Sequence, residues 1–406
     1  MSYSFQASRN SSVAGRYQRT KTGQRRTSGG GGGGRGPRRG QYIDPARFIK
    51  AATNSEVEAY EAIHKFTDFA LNDVLQANLA GKGYVTPSPI QDQTISYGLE
   101  GKDIIGIAST GTGKTAAFAL PLLDRLMSEP NSNALIIAPT RELAQQIEDE
   151  CKALAKGSGL FGALLIGGTN MGGQLRDLTR RPRIVIGTPG RIKDHLERGT
   201  LKLNNFNMIV LDEVDRMLDM GFVDDVTEIL SRLNDNRQSF FFSATMDTKV
   251  RGLINSFTHD PIMVSLKASS ASDSVHQNVV RYNGSMDKVE KLHELLLKAE
   301  VEKVIVFDET QRSVERLSND LIERGFSADA IHGGKSQSQR QRALNRFKKS
   351  EIKVLVATDV AARGIDVADI THVINFSIPQ SYDDYVHRIG RAGRAGKTGH
   401  ALTFIG

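Results

Sequence analysis

The chain has 406 residues, enough for two or three domains, and its 39% hydrophobic and 24% charged residues are typical of globular proteins. No apolar run is long enough for a membrane span or a secretory signal, so composition argues against a membrane protein. Cys151 is the only cysteine, which excludes an internal disulfide and a cysteine-rich zinc site and predicts a cytoplasmic location.

The first 42 residues differ in composition from the rest. Nine of the 53 Lys and Arg residues lie in residues 1–40, which hold no Asp or Glu, so the other 44 stand against 46 acidic residues. The segment is rich in Gly and Ser and has too few aliphatic residues to bury against a core. We predict a disordered basic Arg/Gly-rich tail over 1–42, which either contacts single-stranded nucleic acid or is only a solubilising spacer.

Short apolar runs alternate with helical patterns over residues 43–266, and again over residues 276–406. This alternation predicts two tandem α/β domains, each a parallel sheet with helices on both faces. The small polar residues of 267–275 predict a linker between the two domains.

The first candidate binding residues of the first domain lie near Tyr84–Gln91, a rigid segment with two prolines. The Gln91 amide offers a donor and an acceptor, which suits the edge of an adenine base, and Phe66 could stack on the base. A surface glutamine and a core phenylalanine would explain both residues equally well from spacing alone.

A glycine-rich turn follows the apolar run Ile104–Ile107 and leads into a helical stretch. Glycines let backbone N–H groups surround phosphates, and the helix N-terminus favours the same anion. We expect Lys114 to pair with the outer phosphates and the Thr115 hydroxyl to bind Mg²⁺. An ordinary strand–helix turn is the alternative. The predicted nucleotide contacts are Ser109, Thr110, Gly111, Thr112, Gly113, Lys114 and Thr115.

Three short runs at strand ends suit nucleic-acid phosphates, because they combine helix starts, Thr hydroxyls and Arg. Taken singly, each is explained better as a turn and a helix cap. The predicted contacts are Pro139, Thr140, Arg141, Gly168, Thr188, Pro189, Gly190 and Arg191.

Carboxylates follow the buried apolar run Met208–Leu211. Ligands of open parallel sheets bind beyond the carboxyl ends of strands, so we assign Asp212 to the metal and Glu213 to the attacking water as general base. Ser243 and Thr245 end another apolar run, and their hydroxyls could report the phosphate state to the neighbouring domain.

The second domain has arginines where the first has its glycine-rich turn. They lie in the runs Thr358–Asp366 and His387–Arg394. At a domain interface such arginines could stabilise charge on a transferred phosphoryl group, although a solvated basic helix face is the alternative.

From about Phe66 to Gly406 the chain resembles the DEAD-box family of ATP-dependent RNA helicases, of helicase superfamily 2, in its DEVD variant. The resemblance implies two RecA-like domains, ATP and Mg²⁺ between them, and RNA across both. It rests on ordered motifs: Phe66 with Gln91, Ala108–Thr115, Pro139–Leu143, Gly167-Gly168, Thr188–Arg191, Asp212–Asp215, Ser243–Thr245, Val306-Phe307, Gln337 with Arg340, Thr358–Asp366 and His387–Arg394.

The resemblance also implies roles for single residues. Phe66 and Gln91 would read adenine, and Gly364 and Asp366 would contact the nucleotide, with Asp366 at the ribose. Arg391 and Arg394 would be arginine fingers, acting with Glu213 and Lys114. The remaining implied roles are RNA binding for Thr310, Thr358 and Arg363, and coupling of the domains for Asp215, Ser243, Thr245 and His387.

The sequence departs from the family pattern at two places. Val214 replaces the Ala of the naming tetrapeptide, which removes no functional group, and Gly334 stands where many relatives have Asp. Ala108, which breaks the general phosphate-loop pattern, is normal for this family.

These observations predict an RNA-dependent ATPase that unwinds short RNA duplexes or remodels RNA–protein complexes. We expect a monomer with RNA and ribonucleoprotein partners and no membrane association. Two alternatives stay open: a DNA-directed translocase, and an RNA-binding scaffold clamped by ATP without useful turnover.

Overall fold

The computed structural model describes residues 43–52, 60–109, 111–266, 274–362, 365, 367, 369–393 and 397–406. Several predictions concern other residues and therefore lie outside the described residues: the tail at 1–42, most of the linker at 267–275, and the candidate residues Thr110, Arg363, Gly364, Asp366 and Arg394.

Seven of the described strands form the first sheet, in which all pairs are parallel and the order is β3-β4-β2-β5-β6-β1-β7. The strands are β1 (Ile104–Ile107), β2 (Ala134–Ile137), β3 (Gly162–Leu165), β4 (Ile184–Gly187), β5 (Met208–Leu211), β6 (Gln238–Ser243) and β7 (Ile262–Ser265). The associated helices are α1 (Asp73–Gly81), α2 (Pro89–Leu99), α3 (Lys114–Ser128), α4 (Arg141–Leu154), α5 (Met171–Thr179), α6 (Pro189–Glu197), α7 (Val214–Asp219), α8 (Val223–Ser231) and α9 (Thr248–Phe257).

The six other described strands form a second parallel sheet with the order β10-β11-β9-β12-β13-β8. They are β8 (Val275–Arg281), β9 (Val304–Phe307), β10 (Ala328–Ile331), β11 (Val354–Ala357), β12 (His372–Asn375) and β13 (Gly399–Ile405). The helices are α10 (Gly284–Leu296), α11 (Gln311–Glu323), α12 (Gln337–Lys348), α13 (Asp359–Ala362) and α14 (Tyr382–Ile389).

Each sheet separates two hydrophobic cores, one on each face. The central strands are buried along their whole length, as in β5 and β9, because helices cover both faces. Helix α4 shows how the covering works: the Thr140 hydroxyl accepts from the Leu143 N–H at the helix start, and Ala144, Ile147 and Cys151 recur on the buried face. The predicted class, two tandem parallel-sheet α/β domains, is confirmed.

The start of the described chain contradicts one predicted boundary. Residues 43–50 were assigned to the first domain, but Ile43 and Phe48 are buried in a core of the second sheet. A short 3-10 helix, Pro45–Phe48, carries Phe48 there. The boundary was wrong because two apolar side chains in a short segment do not indicate which sheet they pack against.

None of the described helices has both the length and the apolar character that a membrane span needs.

Candidate nucleotide and RNA site

The order of the first sheet divides the predicted site residues into two groups. Strands β5, β6 and β1 are neighbours, so Asp212, Ser243 and the glycine-rich turn before Lys114 follow adjacent strand ends. Strands β3, β4 and β2 form the other part of the sheet, and the predicted contacts to RNA phosphates follow these strands. The fold therefore brings the nucleotide candidates together at one part of the carboxyl edge and the RNA candidates at another.

The glycine-rich turn is held against the segment that ends in Gln91. Gln91 Nε2 donates to the Gly113 carbonyl oxygen at 3.0 Å, and Ser88 Oγ donates to the Thr112 carbonyl oxygen at 2.7 Å. Gly113 has φ +92°, and a Cβ there would collide with the Gln91 amide. The turn favours glycine at this position, and Gln91 connects the segment Tyr84–Gln91 with the glycine-rich turn.

Lys114 is buried at the start of α3 and faces Asp212. Its Nζ donates to the Ala108 carbonyl oxygen at 3.1 Å and lies 3.8 Å from Asp212 Oδ1. Thr115 is the next residue of the helix and is half-buried at the same cavity. A cation, a hydroxyl and a carboxylate therefore meet at one helix N-terminus.

The negative charge of the carboxylates around Asp212 exceeds the positive charge that Lys114 supplies. Burial raises the pKa of Asp212 to about 6; Lys114 lowers it, while Glu213 and Asp215 raise it further. A carboxylate cluster of this kind is stabilised by a bound cation.

Glu213 adopts an uncommon backbone conformation, with φ +55° and ψ +55° at the start of α7. Its N–H donates to Asp212 Oδ1 at 3.0 Å. Its Oε2 is buried 3.9 Å from Arg216 Nε, and no hydrogen-bond partner for it is found among the described residues. A strained residue with an unsatisfied carboxylate oxygen is typical of a functional site.

Three predicted coupling residues lie in one hydrogen-bonded cluster. Asp215 Oδ2 accepts from the Ala244 N–H at 3.1 Å, the Thr245 N–H at 3.0 Å and Thr245 Oγ1 at 3.1 Å. The Asp215 N–H donates to the buried Ser243 Oγ at 3.3 Å. Any shift of the loop after β5 is therefore felt at the end of β6.

A cavity of about 480 Å³ lies between the two domains at these residues. The first domain contributes Lys114, Asp212 and Glu213 to its wall, and the second contributes Arg391 and Lys348. The sheets are thus arranged so that charged groups of opposite sign face one space.

The second-domain arginines are held firmly in place. Arg391 is buried, and its Nη1 donates to the Ile365 carbonyl oxygen at 2.8 Å. Arg388 makes a bidentate pair with Asp359, with both distances 2.6 Å. His387 lines a small cavity together with these arginines and with Arg216 of the first domain.

The structure does not place Phe66 at the cavity. Its side chain is only 2% exposed and packs against Phe69 and Tyr84, with ring centroids 6.1 and 5.4 Å apart. Tyr84 lines the cavity instead. Its burial agrees with the core alternative, and the stacking of Phe66 on a base stays a prediction.

The predicted RNA contacts of the first domain follow adjacent strands. Arg141 lies half-buried with its guanidinium directly over Gly168, which has φ +74° and no room for a Cβ. Gly190 is exposed, and Pro189 starts α6 after Thr188. Arg191 is half-buried, with its Nε 3.7 Å from Asp194 Oδ2.

Three residues of this group are buried. They are Pro139, Pro189 and Thr140, and the Thr140 hydroxyl caps α4. For Thr140 the helix-cap explanation therefore describes the side chain, although its loop still positions Arg141.

In the second domain, Thr310 follows β9 and Thr358 follows β11, which are neighbouring strands. Thr310 is exposed and caps α11, with its Oγ1 accepting from the Ser313 N–H at 3.0 Å. Thr358 is buried. The pair places a second set of candidate RNA contacts at the carboxyl edge of this sheet.

Two family profiles match the chain. The profile described as DEAD/DEAH box helicase matches residues 88–253, and the helicase conserved C-terminal domain matches residues 287–396. The DEAD-box ATP-dependent RNA helicase CshA of Bacillus subtilis is 46% identical over 341 residues, which cover 84% of this chain and 69% of that protein. The chain belongs to the DEAD-box family of RNA helicases.

The ATP-dependent RNA helicase CshA of Listeria monocytogenes is 45% identical, and the match covers 84% of this chain and 66% of that protein. Among solved structures, Mss116p bound to single-stranded RNA and AMP-PNP has a TM-score of 0.76 at 30% identity, covering 85% of this chain and 76% of that one. Dbp5 of S. cerevisiae bound to RNA and ADP BeF3 has a TM-score of 0.74 at 27% identity, covering 84% and 89%. The two domains are RecA-like, as predicted.

One contact of this DEAD-box protein was missed as a site feature. Glu142 is buried, and its Oε2 lies 2.9 Å from Arg340 Nη2, while Gln337 Nε2 donates to its Oε1 at 3.2 Å. The pair joins the start of α4 in the first domain to α12 in the second. The run Pro139–Leu143 and the pair Gln337 and Arg340 were noticed, but no sequence pattern connects residues so far apart in the chain.

Proposed function

We propose that this chain is an RNA-dependent ATPase that unwinds short RNA duplexes locally or remodels RNA–protein complexes. The observation that carries the proposal is the shared cavity: Lys114 and the two carboxylates line it from the first domain, and Arg391 lines it from the second. Neither domain alone presents both halves of this set of charges.

The residues of the turn fit a nucleoside triphosphate. Backbone N–H groups at Gly111 and Gly113 and the start of α3 suit its phosphates, and Lys114 supplies a positive charge beside them. Gln91 and Tyr84 line the same cavity and are the candidates for the base. Ser109 and Thr112 complete the proposed phosphate contacts, together with Thr110 outside the described residues.

The same site fits a divalent cation. Burial, reinforced by Glu213 and Asp215, raises the pKa of Asp212 to about 6, and Thr115 offers a hydroxyl at the same cavity. We propose that these two residues hold Mg²⁺, which when bound would neutralise charge on the outer phosphates.

Hydrolysis needs a water oriented toward the outer phosphate and positive charge on the groups that separate. The Oε2 of Glu213, which has no hydrogen-bond partner among the described residues, is the proposed acceptor of the water proton. Arg391 is the proposed arginine finger, since it reaches the cavity from the opposite domain and cannot lose its proton at neutral pH. Arg394, Gly364 and Asp366 stay predictions.

RNA is the proposed second ligand, bound across both domains. Support comes from the exposed or half-buried contacts at Arg141, Gly168 and Gly190 and from Thr310 on the other sheet. The similar chains of Mss116p and Dbp5 were solved with RNA bound. Because each ligand contacts both domains, ATP and RNA would each favour the closed arrangement, and the coupling must be reciprocal.

The direct test is ATP hydrolysis with increasing amounts of single-stranded RNA or of DNA of the same sequence, followed by unwinding of a short RNA duplex. We expect stimulation by RNA and ATP-dependent strand separation. Stimulation by DNA alone would indicate the DNA translocase instead, and undetectable hydrolysis at saturating RNA and Mg²⁺ would indicate the ATP-clamped scaffold.

Cytoplasmic location, a monomeric state, ribonucleoprotein partners and the RNA-binding role of the tail stay predictions. Cys151 supports a reducing compartment: it is buried, and burial raises the pKa of its thiol to about 12, so it is an unreactive structural cysteine.

A further inference from the structure

The first described residues of the chain are held by the second domain, although they lead into the first. Phe48 is 1% exposed, and its ring centroid lies 4.7 Å from that of Tyr385. The guanidinium of Arg47 lies 3.8 Å over the ring of Tyr382. An aromatic side chain and a cation–π contact thus anchor the segment to α14.

Backbone hydrogen bonds attach the same segment to β8, the edge strand of the second sheet. The Lys50 N–H donates to the Gln277 carbonyl oxygen at 3.0 Å, and the Gln277 N–H donates to the Lys50 carbonyl oxygen at 2.8 Å. The Ala52 N–H donates to His276 Nδ1 at 3.1 Å. Among the described strands β8 pairs with β13 alone, so the segment covers part of its other edge.

A second anchor follows only a few residues later, on the first domain. Tyr60 Oη donates to Asp92 Oδ2 at 2.6 Å, and the N–H groups of Ile63 and His64 donate to the same carboxylate at 2.8 and 3.1 Å. Burial acts to raise the pKa of Asp92, but these hydrogen bonds outweigh burial and lower it. Asp92 is the residue directly after Gln91, so this anchor adjoins the nucleotide site.

We infer that residues 43–52 form a strap that ties the second domain to the nucleotide-binding residues of the first. Ala52 and Tyr60 are separated by eight Cα–Cα steps, and so are Leu266 and Ser274 at the other junction of the domains. Eight steps span at most about 28 Å. The two domains are therefore joined twice, by connections of equal length.

A second connection limits how far the domains separate and so raises the effective concentration of one domain at the other. Arg391 of the second domain then stays near the glycine-rich turn of the first domain even before both ligands are bound. The strap lowers the entropic cost of closing the cleft, which should appear as tighter RNA binding with ATP present.

The test lengthens the connection without touching an anchor. Twelve residues of alternating Gly and Ser are inserted between Asn54 and Ser55 of the full chain, and the matched control carries the same insert between Gly40 and Gln41, ahead of the strap. Dyes on Lys156→Cys and Glu323→Cys, both exposed positions on different domains, report the separation by single-molecule energy transfer. Cys151 is buried, so the native thiol should not take up dye.

Lengthening the connection from eight to twenty steps lowers the probability of closure by at most about four-fold, from the three-halves power of the length. We expect a broader distribution of separations without ligand and an RNA half-saturation about two- to four-fold higher. The turnover rate at saturating RNA should be unchanged, and the control should match the parent. Unchanged separations and unchanged half-saturation in the lengthened variant would overturn the inference.

A second variant separates tethering from packing. Arg47→Ala combined with Phe48→Ala releases the strap at its natural length. We expect the same broader separations and weaker RNA half-saturation as in the lengthened variant. A lower melting temperature without either change would mean that the segment only stabilises the second domain, which would also overturn the inference.

Discussion

The two sheets share one architecture and carry opposite chemistry at their carboxyl edges. The first sheet presents Asp212, Glu213 and Asp215 around a single buried lysine, and burial among carboxylates raises the pKa of Asp212. The second presents buried arginines: Arg388 is paired to Asp359, and Arg391 lines the shared cavity. The same fold therefore supplies two carboxyl edges of opposite charge. The proposed nucleotide site needs both, because it lies where the acidic edge of the first sheet meets the basic edge of the second.

The sharpest way to break this complementarity is to remove the basic partner. We expect Arg391→Ala to lower RNA-stimulated ATP turnover by about 10³- to 10⁵-fold, the usual contribution of an arginine finger. The measurement is steady-state hydrolysis at saturating RNA, with melting temperature as a check that the second domain is folded. Arg316→Ala, an exposed arginine on α11, should leave turnover unchanged. Near-normal turnover in Arg391→Ala would contradict the finger role.

A substitution at the acidic edge should lower ATP turnover slightly less than Arg391→Ala does. Glu213→Gln keeps the shape of the side chain but removes its proton-accepting carboxylate, so we expect turnover to fall by about 10²- to 10⁴-fold. Binding of ATP and RNA should be retained, as measured by fluorescence titration with labelled ligands. Glu323→Gln on the surface is the control. Loss of nucleotide binding in Glu213→Gln would point to a structural role instead.

The contact between the domains can be tested as a pair. Glu142→Gln and Arg340→Gln each remove one charge of the buried pair and leave the other without a counter-charge. We therefore expect each substitution to raise the RNA concentration for half-saturation about ten-fold. In a double-mutant cycle the effects should couple by about 1–2 kcal/mol, whereas independent effects would show that the contact does not support closure. The half-exposed pair of Arg346 and Asp329 is the control and should shift half-saturation little.

The second sheet also differs in its dependence on pH. The ring of His372 is stacked 4.8 Å from that of His400, and burial, followed by the charge of His400, lowers the pKa of His372 to about 4. Glu300 acts in the opposite direction, while Lys298 and Lys353 reinforce the lowering.

A histidine whose pKa is lowered by folding binds its proton more readily in the unfolded chain. Stability is therefore lost as the pH falls from the ordinary histidine value of about 6.5 toward 4. We expect urea unfolding to show about 1–2 kcal/mol less stability at pH 4.5 than at pH 7 from this residue, reduced by solvent screening. His372→Gln should flatten that dependence, whereas the exposed His259→Gln should not.

Much of the fold follows from local sequence. The apolar runs Ile104–Ile107 and Met208–Leu211 form strands with those bounds, because an apolar run between turns has few other ways to be buried. The turn around Lys114 and the carboxylates after β5 were also predicted from local sequence, because each motif consists of a few consecutive residues.

The remaining features depend on contacts between distant parts of the chain. Nothing near Phe66 indicates that Tyr84 covers it, and nothing near Glu142 indicates a partner on α12. The attachment of residues 43–50 to the second sheet was missed likewise, since burial of Phe48 depends on Tyr385. Periodicity shows that a side chain is buried, but not which surface buries it.

The backbone of Glu213 connects catalysis to the lifetime of the folded state. A left-handed conformation costs a residue with a Cβ about 1 kcal/mol, and glycine avoids most of that cost. Glu213→Gly should therefore melt at a higher temperature than the parent while hydrolysing almost no ATP. With Glu213 as the proposed general base, heat resistance and turnover are opposing demands at this one peptide unit.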